Sequence, residues 1–170
     1  DHHHVPAQIP AALAVINPRQ ADCSYPFKGF AGVGVAFKLA QALLQSSKFQ
    51  VPGFPPPTEK VKLDLEHLLD LVALGTVADM APLLGENRTL VKRGLELLNP
   101  PERPGLQEMI LRAGLQKVDA TTIGYTLGPR LNAAGRLDSA MASYRLLLTD
   151  SPEEARERGT REGHRSMHRH

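Results

Sequence analysis

The spacing of apolar residues changes character near residue 32. Before it, residues 11–17 (AALAVIN) form a short apolar run closed by Asn17-Pro18, the pattern of a buried strand. Residues 18–30, with Pro18, Asp22, Pro26 and Gly29, read as loop. From Gly32 the period becomes helical, with Val33, Ala36, Phe37, Ala40, Leu43 and Leu44 on one face. Residues 47–60 (SKFQVPGFPPPTEK) are polar and proline-rich, which predicts an exposed, extended connection. The strongest helix follows, with Asp64 as N-cap and a buried stripe of Leu65, Leu68, Leu69, Val72 and Ala73. It ends in Gly75-Thr76-Val77-Ala78-Asp79. Further helices are expected over 87–98, over 105–114 behind Pro104, and over 119–127 behind Asp119. Gly128-Pro129 then interrupts the pattern, another helix covers 138–148, and Ser151-Pro152-Glu153-Glu154 starts a last one. One strand among so many helices is lopsided for a complete domain and points to sequence missing upstream.

Composition narrows the class. The chain has 170 residues, 42% hydrophobic and 22% charged, enough apolar material for a folded core and too much for a disordered chain. A single cysteine, Cys23, excludes a disulfide framework and a cysteine-rich zinc site, and a reducing cytoplasm is the simple reading. No run reaches the about 18 to 20 apolar residues of a membrane helix, and no signal peptide is visible. The net charge of +2 misleads, because residues 156–170 hold five basic and two acidic residues and the remainder is slightly acidic. Six of the seven histidines also lie at the two ends. The start at Asp rather than Met suggests a fragment or a processed product.

Three segments can carry chemistry. Asp1-His2-His3 joins imidazoles to a carboxylate, a donor set that suits Mn²⁺, Zn²⁺ or Fe²⁺, or Mn²⁺ and Mg²⁺ in carboxylate-rich surroundings. The alternative is a purification-tag remnant or a frayed terminus, and His4 leaves the register ambiguous. Asp79, at the end of an apolar helix, stands where a buried element emerges and where a carboxylate can hold a metal; the alternative is a solvated helix end. Gly128-Pro129-Arg130-Leu131-Asn132-Ala133-Ala134-Gly135-Arg136 sets two arginines and an Asn among small residues, a phosphate-binding loop or an interhelical turn with surface ion pairs. Gly32-Val33-Gly34 lacks the third glycine of a dinucleotide fingerprint and reads as tight helix packing. His67 reads as a half-buried structural histidine and Cys23 as a free structural thiol.

Taken in this order, the three segments resemble the DHH phosphoesterase superfamily, and within it the RecJ family of single-stranded-DNA-specific exonucleases. The matching stretches are DHH at 1–3, AVINPRQADCSYPFKGFAGVGVAFKLAQAL at 14–43, LLDLVALGTVADMAPLLGENRTLVKRGLELLN at 68–99 and IGYTLGPRLNAAGRLDSAMASYRLLLTDSPEEA at 123–155. The resemblance implies an α/β fold, of which this chain holds the C-terminal part of the catalytic core, mostly helical with one or few strands. It implies 5′ to 3′ hydrolysis of single-stranded DNA in repair and recombination, by two Mn²⁺ or Mg²⁺ ions that activate a water and steady the phosphate. By the same resemblance His2, His3 and Asp79 are metal ligands, Asp1 and His3 the catalytic pair, with Asp1 orienting a histidine. Arg130, Asn132 and Arg136 then meet DNA phosphates, and single-strand-binding protein or helicase partners are implied.

Two departures from the family qualify this. Its metal site also draws on aspartates upstream of DHH, so the 170-residue chain alone is expected to be inactive or nearly so. Residues 1–137 read as partial catalytic core and 138–155 as the start of a connection toward a DHHA1-type domain. Residues 156–170 (RERGTREGHRSMHRH) depart from the family's apolar helix and read as an atypical basic tail, by a frameshift or an unrelated end, with a natural nucleic-acid-binding tail as the alternative. Other functions consistent with the motifs are a DHH phosphoesterase acting on oligonucleotides, cyclic dinucleotides or pyrophosphate, and a non-catalytic scaffold of a replication assembly. Retention of His2, His3 and Asp79 favours an enzyme.

Overall fold

A segment with apolar residues on nearly every side, such as residues 69–78 (LDLVALGTVA), whose one charge, Asp70, is paired with Arg103 at 2.7 Å, is stable as a helix only when other elements cover it. The computed structural model describes residues 1–46, 64–137 and 140–167, and in it that requirement organises the chain. The elements are α1 (Gly32–Ser46), a 3₁₀ turn (Glu66–Leu68) leading into α2 (Leu69–Ala78), α3 (Gly85–Leu97), α4 (Pro104–Arg112) and α5 (Ala120–Thr122). A π-turn (Ile123–Leu127) then runs into α6 (Gly128–Leu137), followed by α7 (Met141–Leu148) and α8 (Pro152–Met167). Leu69, Val72, Ala73, Leu74, Thr76 and Val77 of α2 are all buried, and α1, α3, the π-turn and α6 pack around them. Each buried Leu or Val contributes about 1.5–3 kcal/mol from its removal from water.

The contact between α2 and α3 depends on one missing side chain. A Cβ on Gly94 would lie 2.1 Å from the Leu69 carbonyl oxygen and 2.5 Å from the Ala73 Cβ. A second layer, α4, α7 and α8, joins the core through Leu106, Met109, Leu146 and Ala155. Asp119 caps α5 in a capping box: its Oδ1 accepts from the Thr122 amide at 2.8 Å, and Thr122 Oγ1 accepts from the Asp119 amide at 2.8 Å. The backbone hydrogen bond from Thr122 holds the Asp119 carboxyl below its usual value.

Several expectations need correction. The strand over 11–17 does not form: the segment is irregular, with Leu13 and Ile16 exposed, and among the described residues no strand lies beside it to complete a ladder. Gly128-Pro129 does not interrupt a helix. The widened π-turn hands the Gly128 amide to the Ile123 carbonyl, and the chain continues helically past a proline that has no N–H to give. The GPRLN segment is therefore helix rather than loop. His67 is 56% exposed and bridges Asp64 and Glu102, at 3.5 and 3.3 Å. The expected connection over 47–60 lies outside the described residues.

The atypical tail continues α8 and is helical to Met167; among the described side chains that helix buries small residues, Ala155 just before the tail and Gly159 within it. Gly159 lies against the Glu108 and Arg112 side chains, and Arg112 donates to Thr160 Oγ1 at 2.8 Å.

Two measurements check this packing. Gly94→Ala forces α3 away from α2, and the urea midpoint should fall by the equivalent of about 1–3 kcal/mol, the usual cost of overpacking; an unchanged midpoint removes the close approach. The Asp119 carboxylate stabilises fully above its unfolded value of 3.8 and progressively less as pH falls through its lowered folded value. The stability gap between the protein and Asp119→Ala should accordingly narrow in acid.

Candidate metal centre

Asp1, His2 and His3 lie on an irregular segment whose shape is set locally. Asp1 Oδ1 accepts from the His2 amide at 2.6 Å, the His3 amide at 3.1 Å and the His3 ring Nδ1 at 2.7 Å. A carboxylate acceptor assigns the proton to Nδ1, so the His3 Nε2 lone pair is left for a ligand. Asn17, buried, donates from Nδ2 to the His3 carbonyl at 2.9 Å and accepts from the Arg19 amide at 2.9 Å, which ties residues 17–19 to the histidines. His4 faces Arg19, its Nε2 3.4 Å from the guanidinium.

The second part of the cluster comes from α2. Asp79 is its C-cap, and its Oδ2 lies 3.0 Å from His2 Nε2. His2 is backed by the start of α1, where a Cβ on Gly32 would lie 3.2 Å from His2 Nδ1. The two imidazoles stand 4.2 Å apart between centroids. Ligand atoms of Asp1, His2 and His3 fall within 4.8 Å of one another. This nitrogen–oxygen set suits a divalent cation of the Mn²⁺ type, and it leaves coordination positions for water or substrate. The C-terminal end of α2 also carries the negative pole of the helix dipole, which favours a cation there.

The turn after Asp79 is strained. Met80 has φ 54°, the left-handed region, although it is not a glycine. The Met80 amide donates to the Val77 carbonyl and the Ala81 amide to the Thr76 carbonyl, closing a Schellman-type cap that turns the chain sharply beside the carboxylate.

The third predicted segment reaches the same end of α2 through Gly128, whose Cβ position would lie 3.1 Å from the Ala78 Cβ. Arg130 and Asn132 stand exposed on α6, and the side chain of Arg136 lies outside the described residues. Asn17 and Gly32 are site residues that sequence reasoning passed over: Asn17 registered only as a chain breaker with Pro18, Gly32 only as packing. Cys23 is a free, partly exposed thiol. Among the described residues no helix is long and apolar enough to cross a membrane.

Residues 1–76 match the DHH family, N-terminal domain. The chain is 42% identical over 159 residues to the single-stranded-DNA-specific exonuclease RecJ of Bacillus subtilis, covering 92% of this chain and 18% of that protein. It is 46% identical over 158 residues to the enzyme of the same name from Escherichia coli, covering 91% of this chain and 27% of that one. Its fold is similar to a crystal structure of RecJ with Mn²⁺ from Thermus thermophilus, with a TM-score of 0.77 and 35% identity over 99% of this chain and 24% of the other. A crystal structure of exonuclease RecJ bound to manganese gives a TM-score of 0.76 at 34% identity, over 98% of this chain and 39% of the other. The chain thus spans about a fifth to a quarter of the length of these two curated relatives.

The strain at residue 80 can be measured. Met80→Gly should raise stability by about 0.5–1 kcal/mol, since only glycine takes the left-handed conformation without steric cost. An unchanged or lowered urea midpoint would contradict the strained cap.

Proposed function

We infer, from a chain whose residues 1–76 match the DHH family, N-terminal domain, that it supplies the histidine–aspartate part of a metal-dependent phosphodiesterase centre that trims single-stranded DNA from its 5′ end. The observation that carries this is the 3.0 Å approach of His2 Nε2 to Asp79 Oδ2, which unites ligands 77 positions apart in sequence. Likeness to RecJ proteins over more than nine-tenths of the chain supports the substrate class.

His2, His3 and Asp79 would hold Mn²⁺ or Mg²⁺. When bound, a divalent ion supplies charge for the phosphate oxygens and lowers the pKa of a water. The chain's own residues prepare for it. Asp1 keeps the proton of His3 on Nδ1 and so holds Nε2 as a donor. Gly32 lets α1 lie directly against His2, which limits the rotation of that ring. Arg130 and Asn132 extend from α6, whose first residue abuts Ala78, and bind the phosphates of the strand. Arg136 belongs to the same phosphate-binding segment.

In this reading residues 1–137 are a portion of an α/β catalytic core, and 138–155 lead toward a further domain. Aspartates of the kind the family carries upstream of DHH complete the metal shell. The chain alone should therefore leave 5′-labelled single-stranded DNA intact in Mn²⁺. Exchanged for the matching segment of the Escherichia coli enzyme, it should sustain degradation, and Asp79→Asn should slow that chimera by more than the roughly 100-fold that even an outer-shell partner can be worth, because a ligand itself is altered. Brisk degradation by the chain alone, or a folded chimera indifferent to Asp79→Asn, would sink the proposal.

A further inference from the structure

The two parts of the metal cluster arrive on separate segments, and a single side chain ties those segments together behind it. Asn87, in the first turn of α3, is 0% exposed. Its Nδ2 donates to the Gly29 carbonyl at 2.7 Å and to the Pro82 carbonyl at 3.0 Å. Gly29 lies three residues before Gly32, the residue that backs His2. Pro82 lies three residues after Asp79. The Asn87 amide therefore joins the approach to one ligand with the exit from the other. Among the described residues its Oδ1 has no hydrogen-bond partner, so what the buried amide contributes is its pair of donors.

The residues before Asn87 grip the same strap. The φ of Gly85 is +49°, and its Cβ position would lie 2.9 Å from the Phe27 ring, so a side chain there would be strained and would push on that ring. Glu86 accepts from the Tyr25 hydroxyl at 2.8 Å and pairs with the Lys38 ammonium at 2.5 Å. Tyr25 is raised above its usual value by burial and by the hydrogen bond to Glu86. Burial pulls Lys38 down, but its hydrogen bonds to Glu86 and Tyr25 outweigh this and leave it raised. Residues 25–30 are thus held to the start of α3 at three successive positions, and only Asn87 also reaches the loop that leaves Asp79.

We propose that Asn87 is a positioning residue for the metal centre, setting the separation of His2 and Asp79 through its two carbonyl contacts. The proposal rests on the reading of that cluster as a metal site. It assigns Asn87 no contact with metal or substrate. Removing the donors frees the two carbonyls and lets the ligands drift apart. The expected signature is a loss of metal affinity beyond what an equal loss of stability produces elsewhere in the core.

The test is a Mn²⁺ titration of the 170-residue chain, read by the electron-paramagnetic-resonance signal of the free ion, with urea unfolding in parallel. Asn87→Ala should weaken Mn²⁺ binding about tenfold, the lower end of the cost of losing an outer-shell partner. Asn87→Ser, which keeps one donor and adds no bulk, should show a smaller loss and serves as the comparison if the alanine variant does not fold. Val118→Ala, a core truncation on the connection between α4 and α5, should lower stability and leave binding unchanged. Wild-type affinity in both Asn87 variants, or an equal loss in Val118→Ala, overturns the positioning role. Asp79→Asn separates the two readings. If it weakens binding while the Asn87 variants do not, only the positioning role falls. If it binds Mn²⁺ as tightly as the wild type, the metal-site reading falls and takes the positioning role with it.

Discussion

The enclosure of α2 is the constraint on which the rest of the structure depends. Its sequence offers only Asp70 as a charge, and that is buried against Arg103, so α1, α3, the π-turn and α6 cover the rest of it. Such contacts require close backbone approach, and glycines meet the need where it is sharpest: Gly94 against Leu69 and Ala73, Gly128 against Ala78. The chain leaves this enclosure at Asp79, the first residue past the helix. A carboxylate at that point is anchored by the whole core yet still half in solvent.

This division separates stability from chemistry. The Asp1–His3 contact of the cluster is largely exposed, with the His3 side chain at 75% and Asp1 at 59%, and surface pairs of that kind contribute about 0–1 kcal/mol at most. The cluster is therefore poor as a stabilising device and well suited as a ligand set. The backbone strain at Met80 falls beside the same cluster: a left-handed non-glycine residue persists where the surrounding structure over-determines it. Its energy is offset by buried leucines and valines a turn or two away.

Much of the helical layout was legible because it depends on local signals. Asp119, Pro104 and the Ser151-Pro152-Glu153-Glu154 start all work through neighbours a few residues distant, and the helices begin where they indicate. The errors share a cause in context. Residues 11–17 have strand composition, but a strand is made by its partner, and the described residues provide none. Gly128-Pro129 has the composition of a break, and a widened turn beneath it removes the need for one. The face of α8 escaped notice because Ala155 and Gly159 are small, and only the position of α4 makes them a packing surface.

The sequence by itself determined which residue types could bind a metal and a phosphate, and motif identity named Asp1, His2, His3 and Asp79. It also determined that one face of the helix running to Asp79 must be buried, through the stripe of Leu65, Leu68, Leu69, Val72 and Ala73. Only the tertiary structure decided that His2 and Asp79 meet at 3.0 Å, because that distance follows from how α1 and α2 pack and not from any local preference. It alone decided the contacts of Asn17, Gly32 and Asn87. Each acts through a contact across 14 to 58 positions or, for Gly32, through an absent side chain, and sequence spacing carries no record of either.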